Sequence, residues 1–511
     1  MTSDLVVGID SSTSATKAIA WDRSGRAVAE GRAPIGLANP KPGWFEQDPG
    51  DWWAAAAQAL RHLVTQVEPA RIAGLAIANQ RETFAIFSAD GEALRPGMTW
   101  LDDRAVAQQH RFGASFGAER VHAISGKPLD IIPCLYRVLW LKEHEPDLFG
   151  RAEIIADVHG YLAFRLTGRW VTSTASADPM GMLDMRRLDW SDDILAAAGV
   201  PRRMMLQLER PGALLGDITA AAATATGLMA GTPVFAGGGD GQCAGTGVGV
   251  LEPGRAYVNL GTAVVSGTYG TEYAYDPAFR TETAIAESGY IFETCLRAGT
   301  FLVDWLTREI YGIDPARRSE VLATLEAEAS ASPLGSGGVM LVPYWQGCMT
   351  PHWDSGARGV IAGLSGSTKR GHVFRALLEG IALDLAHATS RSVAATGVDI
   401  DHFVAIGGGA SSDLWAQILA DTAARPVQRS TAGEASSLGA AMAAAKGAGW
   451  FASLVEASRA MASVPVRTFE PDPGRVALYA ELRAIHADLW PTLSAWNKRL
   501  RAFSEGRPEL A

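Results

Sequence analysis

Apolar positions near the start of the chain come in short runs broken by clusters of small polar residues. Leu5-Val6-Val7-Gly8-Ile9 is one run, Ala18-Ile19-Ala20-Trp21 resumes it, and Asp22-Arg23-Ser24-Gly25 stops it, which predicts strand, turn, strand, turn. A second unit follows the same logic. Leu75-Ala76-Ile77-Ala78 leads into Asn79-Gln80-Arg81-Glu82-Thr83 and then Phe84-Ala85-Ile86-Phe87, closed by Ala89-Asp90-Gly91 as a hairpin-like unit with polar residues between two buried strands. Further along, Phe374, Leu377, Leu378, Ile381 and Leu385 share one helical face, as do Trp415, Ile418 and Leu419 after a glycine run. Strands and helices alternate throughout, so the expected class is α/β.

A turn at Glu252-Pro253-Gly254-Arg255 separates one set of these units from another, and Ala256 to Tyr269 repeats the strand-turn-strand pattern of the N-terminus. At 511 residues the chain exceeds one ordinary core, and the expected division is 1–250 and 251–511. Val7 to Thr13 and Tyr257 to Thr262 both set a tight, small-residue turn after a β run. A similarity this short also arises by chance; if it is a true repeat, two related domains face each other with two phosphate-contacting turns across a cleft.

Composition narrows the function. With 48% hydrophobic and 20% charged residues and 55 glycines, the chain is globular rather than disordered. A net charge of −10 argues against nucleic-acid or anionic-membrane binding, which needs basic faces to displace counterions. No stretch approaches the ~20 apolar residues of a membrane span, and Met1 to Asp10 lacks the pattern of a signal peptide. The expected location is therefore cytoplasmic. The four cysteines, Cys134, Cys243, Cys295 and Cys348, lack paired spacing and read as small core residues.

Four segments could carry chemistry. In Asp10-Ser11-Ser12-Thr13-Ser14-Ala15-Thr16-Lys17 a carboxylate at a strand end precedes a turn dense in hydroxyls and amides, which suits phosphate and Mg²⁺. Taken alone, it reads equally as a hairpin with a solvated tip. In Gly237-Gly238-Gly239-Asp240-Gly241-Gln242 the carboxylate can be closely approached, as a general base for a sugar hydroxyl requires, or it can simply cap a helix. Gln80, Arg81 and Glu82 combine donors and acceptors suited to vicinal hydroxyls, or form a local ion pair. Gly407-Gly408-Gly409-Ala410-Ser411-Ser412-Asp413, before a helix, could admit a purine and ribose or be a tight strand-to-helix turn.

In this order, and over nearly the whole chain, the segments resemble the FGGY carbohydrate kinases. Gly359-Val360-Ile361-Ala362-Gly363-Leu364, then seven residues, then His372-Val373 and Ala376-Leu377-Leu378-Glu379 look like the family's C-terminal signature. Leu135 to Glu143, with Trp140 inside, looks like a looser copy of the N-terminal one. The resemblance implies two actin-like, ribonuclease H-like ATPase domains closing over ATP and sugar. It also implies Mg²⁺ at Asp10 and Asp240, through water at Asp10, with Asp240 as the catalytic base. Ser12, Thr13, Ser14 and Lys17 would meet the β- and γ-phosphates, as would Gly261 and Thr262 from the second domain. Gly299, Gly409, Ala410 and Asp413 would surround ribose and adenine. Gln80, Arg81, Glu82 and Trp100 would shape the acceptor pocket, and the assembly would be a homodimer.

Departures bear on the substrate. Asn79 to Thr83, Trp100 and Asp103-Arg104 are similar to glycerol kinases, but Ile132 stands where a tyrosine is expected and Gly241 where a glutamine is. Both changes are expected to widen the pocket, and the Gly239-Asp240-Gly241 setting is closer to xylulokinases. Ser12 replaces the glycine usual in the first phosphate turn. The lead expectation is a kinase for a pentulose such as xylulose or ribulose, with a glycerol or other polyol kinase second. An actin-fold ATPase serving a protein partner is third.

Overall fold

A computed structural model describes residues 3–430 and 433–505. Two central sheets organise it. The first contains β1 (Leu5–Ser11), β2 (Ala15–Trp21), β3 (Ala27–Pro34), β4 (Ile72–Asn79), β5 (Leu214–Asp217) and β6 (Pro233–Gly239), in the order β5-β6-β4-β1-β2-β3. Strands β1, β2 and β3 form an antiparallel meander, and β4 and β6 run parallel to β1.

The second sheet contains β7 (Gly254–Leu260), β8 (Val264–Gly270), β9 (Arg280–Thr283), β10 (Tyr290–Leu296), β11 (Ile400–Ile406), β12 (Val427–Ser430) and β13 (Pro465–Phe469). Its order is β9-β10-β8-β7-β11-β12-β13. Here too an antiparallel meander, β7-β8-β10, is extended by parallel strands β11 and β12. The two sheets therefore repeat one topology, and the short echo between Val7 and Tyr257 marks the same strand in each.

Each sheet buries both faces. Leu5, Val7 and Ile9 of β1 pack with Trp52 and Leu60 of α1 (Pro49–Val64). Val6, Gly8 and Asp10 point to the opposite face, by the two-residue period of a strand. On that side lies α2 (Asp240–Gly247). In the second sheet Ala256, Val258 and Leu260 pack with Phe374, Leu377 and Ile381 of α3 (Arg370–Thr396) and with Trp415 and Leu419 of α4 (Asp413–Ala423), the two helical faces read from the sequence.

The chain then returns to the first sheet. Helix α5 (Ala435–Gly447) lies against β1 so closely that a Cβ on Gly8 would stand 1.9 Å from the Ser437 carbonyl oxygen. Ser437 Oγ donates to the Gly8 carbonyl oxygen at 2.9 Å and accepts from Trp21 Nε1 at 3.1 Å. The last helix, α6 (Pro473–Glu505), runs along the second domain. All four cysteines are buried and free, as expected. No helix among the described residues is long and apolar enough to cross a membrane.

One expected pairing is absent. Phe84–Phe87 does not form a hairpin with β4 but joins Glu46–Gln47, Gly97–Met98 and Ile154–Asp157 in a separate four-stranded sheet. Glu82 causes the departure, because its φ of 49° turns the chain out of the plane of β4.

Candidate functional site

Parallel strands β1, β4 and β6 end in Ser11, Asn79 and Gly239, with Asp10 one residue before the end of β1, while β7 and β11 end beside Gly261 and Gly407. Ligands in α/β folds gather at such carboxyl ends.

In the first turn, Ser12 adopts no left-handed backbone, so the serine in place of the usual glycine is accommodated. Its amide and its Oγ both donate to the Ala15 carbonyl oxygen, at 3.0 and 2.8 Å, and close the turn. Thr13 ties this turn to Trp100, whose Nε1 donates to Thr13 Oγ1 at 2.9 Å. Ser14 is exposed. Asp10 is buried, and its Oδ1 has no hydrogen-bond partner. Burial first, and then the nearby Asp240 carboxylate, push its pKa up to about 7. Lys17, opposite Asp10 in the β1-β2 register, forms an ion pair of 2.6 Å with Glu434, at the foot of α5. In this state its ammonium is held by protein.

Asp240 opens α2, and its backbone carbonyl accepts from Ser436 Oγ at 3.0 Å. Its side chain keeps 39% exposure, and Arg81 Nε lies 3.3 Å from its Oδ1. Burial raises its pKa, opposed by Arg81 and by the Gly241 amide, which donates to Oδ1 at 2.8 Å. Arg81 in turn reaches Glu293, whose oxygens are 3.1 and 3.0 Å from Nη1. Arg280 pairs with Glu82 at 2.6 Å and with Glu293 at 2.6 Å. Tyr257 donates to Glu293 Oε2 at 2.8 Å. Lys127 stands 3.2 Å from Glu282 and 3.9 Å from Asp178. Against the cost of burial, Arg280 and Arg81 hold Glu293 down to about 2. Burial raises Glu82, and burial followed by Glu282 raises Asp178.

The Gly-Asp-Gly setting has a different reason from the one expected. A Cβ on Gly239 would stand 2.6 Å from Arg81 Cγ, and one on Gly241 would stand 2.8 Å from Arg81 Nη2 and 3.1 Å from Glu293 Oε2. The glycines make room for Arg81, so Gly241 does not widen the pocket: protein fills that space. Ile132 is a core residue whose carbonyl accepts from Arg137.

Gln80 also differs from expectation. It is buried, with Nε2 donating to Gln47 Oε1 at 2.8 Å and Oε1 accepting from Thr83 at 3.3 Å, which makes it a support for the turn rather than a group facing the cleft. Arg137, fully buried, donates to the Glu82 carbonyl oxygen at 2.8 Å and to that of Thr99, holding the strained backbone at Glu82.

On the opposite side, Gly299 is glycine because a Cβ would meet the Gly261 and Thr262 carbonyl oxygens at 2.4 and 2.7 Å. Thr300 N donates to the Gly261 carbonyl oxygen at 2.8 Å, so this segment braces the second turn. Of the three glycines after β11, Gly409 packs on Trp415, while a side chain on Gly408 would meet open space. Ala410 is buried. Asp413, at the start of α4, is exposed and bonded to Arg429 at 2.7 Å and to Arg467.

Sequence reasoning missed Lys127, Arg137, Tyr257, Arg280, Glu282, Glu293 and Glu434. One signal was available: charged residues recur in β9, a strand buried along its whole length.

Asp10 and Asp240 fit a Mg²⁺ ion, which takes one or two carboxylates plus phosphate oxygens and water. The orphaned buried Oδ1 of Asp10 is the kind of hard oxygen donor such an ion needs.

The model of the FGGY family of carbohydrate kinases, N-terminal domain, matches residues 5–247, and that of its C-terminal domain matches residues 256–448. The chain is 31% identical to a xylulose kinase of Bacillus subtilis over 505 residues, covering 98% of this chain and 99% of that protein. It is also 31% identical to a glycerol kinase of Citrifermentans bemidjiense, over 87% of this chain and 90% of that one. The crystal structure of xylulose kinase from Rhodospirillum rubrum matches with a TM-score of 0.90 at 28% identity, covering 97% of this chain and 100% of that one. The two-domain, actin-like α/β architecture expected from the sequence is the one observed.

Proposed function

Because the chain belongs to the FGGY family of carbohydrate kinases and is an ATP-dependent sugar kinase, we propose that its acceptor is a free pentulose such as xylulose or ribulose, phosphorylated in carbohydrate catabolism. The observation that carries this reading is the likeness to a xylulose kinase along nearly the full length of both chains. A glycerol or other polyol kinase is the second reading, supported by Asn79 to Thr83 and by the glycerol kinase relative.

On this reading Asp240 accepts the proton of the attacking hydroxyl as the O–P bond forms. Burial raises its pKa above the ordinary carboxylate value, the direction that makes a carboxylate a stronger proton acceptor. Arg81 keeps that carboxylate aimed at the acceptor, and Glu82 takes a neighbouring hydroxyl. Trp100 forms an apolar wall while its Nε1 stays tied to the first phosphate turn. Ser12, Thr13, Ser14 and Lys17 meet the phosphates from one side, Gly261 and Thr262 from the other. Gly299, Gly409, Ala410 and Asp413 border the nucleoside. Mg²⁺, held by Asp10 and Asp240, supplies neutralisation of phosphate charge when bound. Residues 1–250 and 251–511 act as the two jaws, and their closure excludes water that would otherwise hydrolyse ATP. The protein works in the cytoplasm, as a homodimer.

The test is coupled ADP release with MgATP across pentuloses, hexuloses, glycerol and erythritol, with a no-sugar blank. A pentulose should give the largest kcat/KM, at least about tenfold above glycerol, a margin one well-placed hydroxyl contact can supply. Preference for glycerol would move the assignment to the second reading. ATP hydrolysis indifferent to every sugar would end both.

A further inference from the structure

Between the two domains lies a group of buried charges that the phosphate turns do not need. Arg280 comes from β9 and Glu293 from β10, both in the second domain, yet their partners Arg81 and Glu82 belong to the first. We propose that Glu293 and Arg280 are positioning residues for the acceptor, Glu293 holding Arg81 against Asp240 and Arg280 holding Glu82. The inference rests on the sugar-kinase reading above and extends it to residues outside the first domain.

The geometry supports this in three ways. Glu293 has no solvent exposure, and both its oxygens accept from Arg81 Nη1, while Arg81 Nε lies 3.3 Å from Asp240 Oδ1, so the guanidinium is held at two of its nitrogens, one by each carboxylate. Arg280 takes one oxygen of Glu82 and leaves Oε2 for a hydroxyl. Gly241 lacks the side chain that would displace either Arg81 or Glu293. A buried charge stripped of its partner is strongly disfavoured, so the four side chains hold one arrangement rather than several. Specificity for a polyhydroxy acceptor then depends on the second domain, and a side chain that reads hydroxyls is correctly aimed only when both domains are in register.

The test is a double-mutant cycle on acceptor kcat/KM, using Glu293→Gln, Arg81→Ala and the pair. Glu293→Gln should raise the acceptor KM by about tenfold or more, up to the ~100-fold that a 1 Å misplacement costs, while the KM for MgATP stays within about twofold. In the Arg81→Ala background the same change should do nothing further. Should Glu293→Gln not fold, Arg280→Lys, which keeps the charge but shortens the fork, should raise the acceptor KM in the same way. Unchanged acceptor kinetics in folded variants, or additive losses in the cycle, would overturn this proposal alone. A wild-type protein that phosphorylates no sugar would overturn the functional reading itself, and this inference with it.

A second inference stands on a different observation. Helix α6 buries Tyr479, His486, Trp490 and Asn497, whereas Leu478, Ile485, Trp496 and Leu500 are 51%, 61%, 54% and 52% exposed. At 100° per residue those four lie within about 60° of one another, a seam about a quarter turn from the buried face. We infer that the seam pairs antiparallel with the same helix of a second copy. Ile485 of one copy then opposes Trp496 of the other. Exposed Glu481 and Asp488 lie in the first half of the helix and exposed Arg499 in the second, so antiparallel pairing sets acid against base and parallel pairing would not. Sedimentation should give twice the 54.0 kDa chain mass for the wild type and a single chain mass for Ile485→Glu. Glu481→Lys should weaken the dimer and Glu481→Lys with Arg499→Glu restore it. A monomeric wild type, or a dimer indifferent to these changes, would overturn the pairing.

Discussion

An alanine methyl at position 241 would press on Arg81 Nη2, and the guanidinium cannot easily swing aside because Glu293 holds its Nη1 and Asp240 faces its Nε. Gly241→Ala is therefore expected to raise the acceptor KM about tenfold or more and to cost about 1–3 kcal/mol of stability, which steady-state kinetics and chemical denaturation together can check. A wider pocket at Gly241 would predict tolerance instead. Asp384 makes a separate prediction at this scale. It is buried on α3, accepts from Tyr344 OH at 3.0 Å, and leaves Oδ2 without a partner. Burial raises its pKa from 3.8 to about 7. A folded-state value above the unfolded one means that this group's contribution to stability is complete below pH 3.8 and is lost as the pH rises through about 7. The loss amounts to about 4 kcal/mol at most. Asp384→Asn, which does not titrate, should show a smaller fall in urea-unfolding free energy between pH 5 and pH 8 than the wild type. Equal falls would remove Asp384 as a source of the pH dependence.

Among the elements, α5 sets the tightest constraint. Its backbone approaches β1 at Gly8 and α2 at Gly439, where a Cβ would stand 1.9 Å from the Cys243 carbonyl oxygen, so the strand bearing Asp10 and the helix bearing Asp240 are stapled together by one element. Gly8→Ala should cost more than about 3 kcal/mol in chemical denaturation, because backbone meets backbone and neither can rotate away. A loss below about 1 kcal/mol would show that α5 can slide. Elements with strong periodicity were legible in the sequence: β1, β2, α3 and α4 all fall where apolar spacing put them. The hairpin expected at Phe84 to Phe87 was not, since the left-handed turn at Glu82 is set by Arg137 and Arg280, distant along the chain. For the same reason Arg81, Glu82 and Asp240 could be picked out as polar residues at strand ends, whereas Glu293 and Arg280 could not. Their role depends on which strand of the second sheet faces the first domain, and local pattern carries no record of that.

At the scale of the whole molecule, two sheets of one topology bring the ends of their parallel strands to a shared site, and charges from both domains interlock beside Asp240. The central claim is that this aspartate takes the proton from a sugar hydroxyl in transfer of phosphate from ATP. Comparing wild type and Asp240→Asn at saturating MgATP, with the preferred ketose of the panel, tests it most directly. The account predicts that kcat falls by about 10² to 10⁴, the range of a lost general base, while the KM for MgATP changes little. Turnover in Asp240→Asn within about threefold of wild type would contradict it and move the proton to another group.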